Sequence, residues 1–223
     1  MNNIQDNIDR IKTKIKKTAN NWDRNTEDIN LIAVSKGQSI NGIKETLDTG
    51  HRLFGENKVQ EAYDHWFDIK NDYKDIRLHM IGHLQTNKVK DAVALFDVIE
   101  TIDSKKIAKK LSDEMRKQNR VLSCFIQVNT GDEEQKYGVV PGDLDELLNY
   151  CRGDLGLNIS GLMCIPPNDN KSGMHFAFLN KLRGKYSLEE LSMGMSHDYD
   201  KAIMAGATYI RVGRDLFGER ESL

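Results

Sequence analysis

Residues 31–35 make an apolar run, Leu31, Ile32, Ala33, Val34 and Ser35, that ends on a lysine, Lys36, with Gly37 beyond it. An apolar run without polar alternation reads as a strand of a parallel sheet, buried on both faces. Lys36 then stands at the carboxyl end of a strand, the edge at which barrels of alternating strands and helices gather their chemistry. Desolvation there favours the neutral amine, the nucleophilic form that condenses with a carbonyl ligand. On its own the residue reads more simply as a solvated loop lysine, so the rest of the chain has to decide.

A second candidate segment is 191–196, a strand that ends in a small-residue turn before a helix. Gly194 lets backbone N–H groups approach an anion closely, and Ser196 can add a hydroxyl or serve as an ordinary helix cap. In the next strand, alternation puts Tyr209, Arg211 and Gly213 on one face and Ile210 and Val212 on the other. The loops after the last two strands are where barrel enzymes hold phosphate. A guanidinium inside a barrel needs a partner, either a structural carboxylate or a ligand atom. Asn57 in the run Phe54-Gly55-Glu56-Asn57, and His83 in the run 79–88, offer an amide and an imidazole at further strand ends. His79 and His83 are spaced like a metal pair but fall on a strand-to-loop segment, which argues against metal binding. Glu56 and Glu100 are the carboxylates at strand ends, each readable as a helix-start or structural residue. Lys136 and the doublets Lys105-Lys106 and Lys109-Lys110 read as exposed.

The elements that must position these groups form a regular alternation. Strands are predicted at 31–35, 52–54, 78–81, 97–102, 121–128, 157–165, 188–193 and 208–213. Between them, helical stripes carry Ile40, Ile43 and Leu47, then Val59, Ala62, Tyr63, Trp66 and Phe67 inward, then Ile107, Leu111 and Met115 in a helix that Asp103 can cap. Further helices are predicted around Leu144 to Cys151, at 174–182 and at 197–205, and a short one holds Leu216 and Phe217. Ahead of them, Ile4, Ile8, Ile11 and Ile15 mark an amphipathic helix at about 3–20 that packs on the main body. Connections of this length require parallel strands with crossover helices. The count, with no linker or composition break, favours an α/β fold, a (β/α)8 TIM barrel, as one domain over residues 1–223.

Composition narrows the class. The 223 residues hold 32 basic and 34 acidic side chains, which leaves no broad electrostatic footprint for nucleic acid or an anionic membrane. No apolar run approaches the ~20 residues of a membrane helix, and residues 1–6 lack a signal core. Cys124, Cys151 and Cys164 are far apart and suggest neither a disulfide framework nor a zinc site. A reducing cytoplasm is the simplest home.

With these segments in hand, the chain resembles the pyridoxal 5′-phosphate homeostasis protein family, single-domain barrels of the alanine-racemase-like fold type III. The resemblance runs from residue 31 to 218 and rests on Ala33-Val34-Ser35-Lys36, Phe54-Gly55-Glu56-Asn57, the run 79–88, the run 191–196 and Arg211-Val212-Gly213. It implies that Lys36 holds the cofactor, pyridoxal 5′-phosphate, as an internal aldimine (Schiff base). It further implies that Ser196 and the backbone around Gly194 and Gly213 bind the phosphate and that Arg211 faces the pyridine nitrogen. Asn57, His83 and Met193 would line the pocket. The family usually has Ser or Thr after the last glycine, where this chain has Arg214, so a hydroxyl ligand gives way to a cation beside the backbone N–H. His197 also stands where a small or acidic residue is frequent.

The resemblance poses a choice between carrier and enzyme. Alanine racemases add a second domain to this barrel and borrow a tyrosine base from a partner subunit, and no residues follow the barrel here to form such a domain. An arginine opposite the pyridine nitrogen weakens the ring as an electron sink. One lysine without a second positioned acid–base group suits exchange of a bound aldehyde better than racemisation. The expectation is a monomeric pyridoxal-phosphate-binding protein without robust turnover, active in intracellular cofactor homeostasis and delivery to apoenzymes. The alternative is an amino-acid racemase-like enzyme. Metal, nucleic acid and membrane partners are not expected.

Overall fold

The computed structural model describes residues 3–218; Met1, Asn2 and residues 219–223, the ends of the stretch read as one domain, lie outside the described residues. Among these, eight parallel strands close into a barrel in sequence order. They are β1 Asn30–Val34, β2 Leu53–Glu56, β3 Arg77–Met80, β4 Val98–Ile102, β5 Ser123–Gln127, β6 Ile159–Met163, β7 Glu190–Met195 and β8 Tyr209–Val212. Closure is made by β8 against β1, with Asn30 opposite Tyr209 and Ala33 opposite Val212. The helices are α1 Ile4–Asn21, α2 Ile40–Asp48, α3 Val59–Trp66, α4 Ile69–Asp72, α5 Val89–Leu95, α6 Lys105–Lys117, α7 Leu144–Asn149, α8 Ser172–Lys185, α9 Tyr199–Met204 and α10 Arg214–Phe217. The (β/α)8 barrel expected from the sequence is therefore the fold.

Strand alternation divides the core in two. Leu31, Ala33, Phe54, Met193, Ile210 and Val212 face outward into the large layer between sheet and helices. Ile32, Val98, Phe125, Met163 and Tyr209 form a small apolar cluster inside the barrel. Each fully buried side chain of this size contributes ~1.5–3 kcal/mol, so the continuous outer layer dominates stability. The small inner cluster leaves room above it for polar groups.

Helix α1 has its stripe of Ile4, Ile8, Ile11, Ile15 and Ala19 buried, and Asn3 caps it by accepting from the Gln5 N–H at 2.9 Å. Its Asn7 amide donates to the Leu216 carbonyl at 2.9 Å and its Arg10 guanidinium to the Asp215 carbonyl at 3.0 Å. The N-terminal helix thus braces the turn that follows β8.

Several local expectations are corrected. Ile40 and Phe67 are 45% and 58% exposed, because one is the first residue of α2 and the other lies just past the last turn of α3. Ser104, rather than Asp103, is the N-cap of α6 and accepts from the Ile107 N–H at 3.5 Å. Val121 lies outside β5 and is 88% exposed. The three cysteines are free and buried, and burial pushes each thiol up to about 12, as inert apolar residues. Among the described residues no helix is long and apolar enough to cross a membrane.

Candidate functional site

A pocket of about 660 Å³ opens at the carboxyl ends of the strands, a volume in the range of small-ligand sites. Lys36, Asn57, Ser196, Arg211, Gly213 and Arg214 line it, joined by Val34, Gln38, Ile81, Ile165, Met195, His197 and Asp215. Lys36 and Arg214, 178 positions apart, are brought together because each follows a strand of a closed barrel.

Lys36 sits two residues past β1 in a tightly held turn, half-buried. The Ser35 N–H continues the ladder to the Gly55 carbonyl at 3.1 Å, and the Ser35 hydroxyl donates to Glu56 Oε1 at 2.6 Å. On the other side of the lysine, the Gly37 N–H donates to the Glu61 carboxylate. Both neighbours of Lys36 are therefore tied to glutamates of β2 and α3. Glu56 is fully buried and also accepts from Trp66 Nε1 at 3.1 Å and His65 Nδ1 at 3.0 Å. Its role is structural, which settles one of the alternatives left by the sequence. The hydrogen bond to Glu56, opposed by burial, raises the pKa of His65 above its ordinary value.

Asn57 follows β2 directly, and its position depends on Gly82: a Cβ there would lie 2.2 Å from the Asn57 carbonyl oxygen. The glycine after β3 thus lets two backbones touch. His83, one residue on, does not reach the pocket lining. Its ring stacks on Tyr137 with centroids 3.8 Å apart, and its Nδ1 lies 3.4 Å from Asp103. This corrects its expected place, since the imidazole joins two neighbouring loops instead.

The segment after β7 carries the second correction. Met193 is fully buried in the outer layer and does not line the pocket; Met195 does. The strand register slips between Ser192 and Met195, so that Met195 pairs with Arg211. Gly194 makes the slip, with φ +90° and a virtual Cβ 2.5 Å from the Ala202 Cβ. Its lack of a side chain admits α9 to the strand end, and it does not itself line the pocket. Ser196 is not the helix cap; that position is held by Asp198, buried, whose Oδ1 accepts from the Met195 N–H at 2.7 Å. Ser196 and Arg214 make no side-chain hydrogen bond to another described residue, nor does Asn57, and all three face the same space. Among the described residues that line this pocket, Lys36, Arg211 and Arg214, with His197, stand beside one acid, Asp215. Such a set suits an anionic ligand.

Beneath lies a polar floor that the sequence did not disclose. Arg211, buried, donates to the Ser192 hydroxyl at 2.7 Å and to the Cys164 carbonyl at 2.8 Å. The Ser192 hydroxyl donates in turn to Glu100 Oε2 at 2.5 Å, and His79 Nδ1 lies 2.6 Å from Glu100 Oε1. Glu100 and His79 are both fully buried. Ser192 and Met195 lie in the run 191–196 but were not singled out within it, and Cys164 and Asp198 lie outside the motifs that the sequence offers.

Comparison with known proteins agrees with this geometry. The alanine racemase N-terminal domain model matches residues 1–221. The pyridoxal phosphate homeostasis protein of Vibrio alginolyticus is 37% identical over 231 residues, covering 99% of each chain. The protein of the same name from Escherichia coli strain K12 is 35% identical over 99% of this chain and 98% of its own. The chain belongs to the pyridoxal phosphate homeostasis protein family. Among solved structures, PipY of Synechococcus elongatus PCC7942 with PLP bound superposes with a TM-score of 0.78 at 34% identity, over 92% of this chain and 100% of that one.

Proposed function

We propose that this protein holds pyridoxal 5′-phosphate reversibly in the pocket at the carboxyl ends of the strands and takes part in intracellular homeostasis of the cofactor. The observation that carries the proposal is the meeting of Lys36 with Ser196, Arg211 and Arg214 around one small pocket. The lining combines an amine with a hydroxyl and guanidinium groups, the groups that complement a molecule carrying both an aldehyde and a phosphate. Three pocket side chains with no internal hydrogen bond fit the same group. PipY with PLP bound, full-length at 34% identity, supports the ligand.

When bound, the cofactor supplies an electrophilic aldehyde carbon. Lys36 would present its Nζ to that carbon, with its turn held by Glu56 and Glu61 so that the amine needs little reorganisation. Ser196, the backbone around Gly213, and Arg214 would take the phosphate. In place of a family hydroxyl, Arg214 brings a charge, which tightens phosphate binding in a salt-dependent manner. Arg211 presents its guanidinium to the pyridine nitrogen, and Asn57 lines the near wall. The protein acts as a cytoplasmic monomer that passes the cofactor to apoenzymes.

The test is a paired assay on the loaded protein: transfer of the cofactor to an apoenzyme, and turnover of free amino acids. Expected are stoichiometric loading, recovery of apoenzyme activity and no racemisation. Robust racemase turnover would replace this reading with an enzymatic one.

A further inference from the structure

Arg211 is an expensive residue to place on a barrel strand. It is buried, and two of its five N–H donors are already committed, one to the Ser192 hydroxyl and one to the Cys164 carbonyl. Because a guanidinium can only donate, Ser192 Oγ must accept from it. The Ser192 proton is then directed at Glu100, which also receives His79 Nδ1 on its other oxygen. Glu100 Oε2 lies 4.0 Å from the guanidinium. The chain of donors runs one way, from Arg211 through Ser192 to Glu100, and Glu100 is approached from both sides as a carboxylate is.

We infer that Glu100 is a positioning residue for the cofactor pocket: acting through Ser192, it fixes the orientation of Arg211 and neutralises its charge directly beneath the ligand. This rests on the cofactor reading above. Without the carboxylate the guanidinium would present an unbalanced charge to the bound ring and would be held by the Cys164 carbonyl and a hydroxyl free to turn. With it, the pocket has a fixed N–H donor at its floor and a net charge carried by the phosphate-side groups alone. Nothing in the ladder requires this arrangement, since the neighbouring interior positions Ile32, Val98, Phe125 and Met163 are apolar.

The experiment loads wild type, Glu100→Gln and Ser192→Ala with pyridoxal phosphate, measures affinity by equilibrium dialysis, and titrates the absorbance of the bound cofactor with pH. Glu100→Gln keeps the shape and removes the charge. The unbalanced guanidinium should disfavour the protonated chromophore and move its midpoint down by about one pH unit, a tenfold change in the protonation equilibrium. Ser192→Ala leaves both charges and cuts the bridge. It should leave the midpoint near wild type while weakening affinity by about tenfold, the worth of a charge-assisted hydrogen bond. A Glu100→Gln protein with wild-type midpoint and affinity and only a lower melting temperature would overturn the inference, leaving Glu100 a structural partner. If Glu100→Gln does not fold, Ser192→Ala decides: wild-type affinity overturns the inference, a tenfold loss supports it. Failure of the cofactor reading is distinguishable, because wild type itself would then show no bound chromophore.

Discussion

The barrel contains the same three chemical groups twice, at different depths. At the amino-terminal rim, Arg77 donates to the Tyr209 hydroxyl at 3.3 Å and Tyr209 donates to Glu190 at 2.8 Å. One turn of the alternation higher, Arg211 donates to Ser192 and Ser192 to Glu100. The rim set is partly solvated, with Arg77 exposed and Glu190 half-buried. Burial, and then Glu190, push the Tyr209 hydroxyl well above its ordinary pKa, so it remains a donor. The upper set is enclosed, with Glu100 fully buried. Rim pairs contribute little, and buried pairs commonly return less than their desolvation costs. The lower set needs no function to explain it. The upper set, under a pocket, is better understood as a constraint that serves the ligand.

That contrast can be broken most sharply at Glu100. Glu100→Ala should cost about 3–5 kcal/mol in urea unfolding, because Arg211 is left buried and unpaired. Replacing both charges, Glu100→Leu with Arg211→Met, should recover most of that stability yet lose retention of cofactor in equilibrium dialysis. A double variant that binds as wild type would show the upper set to be as structural as the lower. Glu56, also fully buried, acts on the lysine turn. Glu56→Ala orphans Ser35, His65 and Trp66 and should cost about 3 kcal/mol, near 1 for each bond, with slower attachment at Lys36 as the second readout.

Near the rim, His51 offers a titration. Its Nε2 donates to the Leu53 carbonyl at 2.7 Å, and burial, partly offset by that bond, holds its pKa down to about 4 from an ordinary 6.5. The unfolded chain takes up this proton near 6.5 and the folded chain only near 4. The His51 contribution is therefore complete above the upper value and drains away as pH falls to the lower one. The loss should be roughly 3 kcal/mol, and His51→Gln should flatten that limb of the urea-stability profile. The smallest effect belongs to Glu190→Gln, less than about 1 kcal/mol with cofactor affinity unchanged. A larger loss would erase the distinction between the two depths.

Much of the site was legible because the barrel converts strand ends into one rim. Once Leu31 to Ser35 reads as a strand, Lys36 must reach that rim, and the inward face of Tyr209 and Arg211 follows from alternation. What alternation cannot see is a register slip. Gly194 resets the phase of β7, so the methionine at the pocket is Met195 while Met193 packs outward. His83 was misplaced for a related reason: it lies in a loop whose path is fixed by Gly82 touching Asn57, a contact with no sequence period. The floor was invisible because nothing in the sequence pairs Glu100, noted only as a carboxylate at a strand end, with Ser192, 92 residues away.

The most direct test is borohydride reduction of the pyridoxal-phosphate-loaded protein, followed by mass spectrometry of its peptides, with Lys36→Ala treated alongside. A pyridoxyl adduct confined to Lys36, and absent from the variant while its fold is retained, is the expected result. No adduct, or adducts scattered over surface lysines at equal levels in both proteins, would contradict a cofactor site built around Lys36.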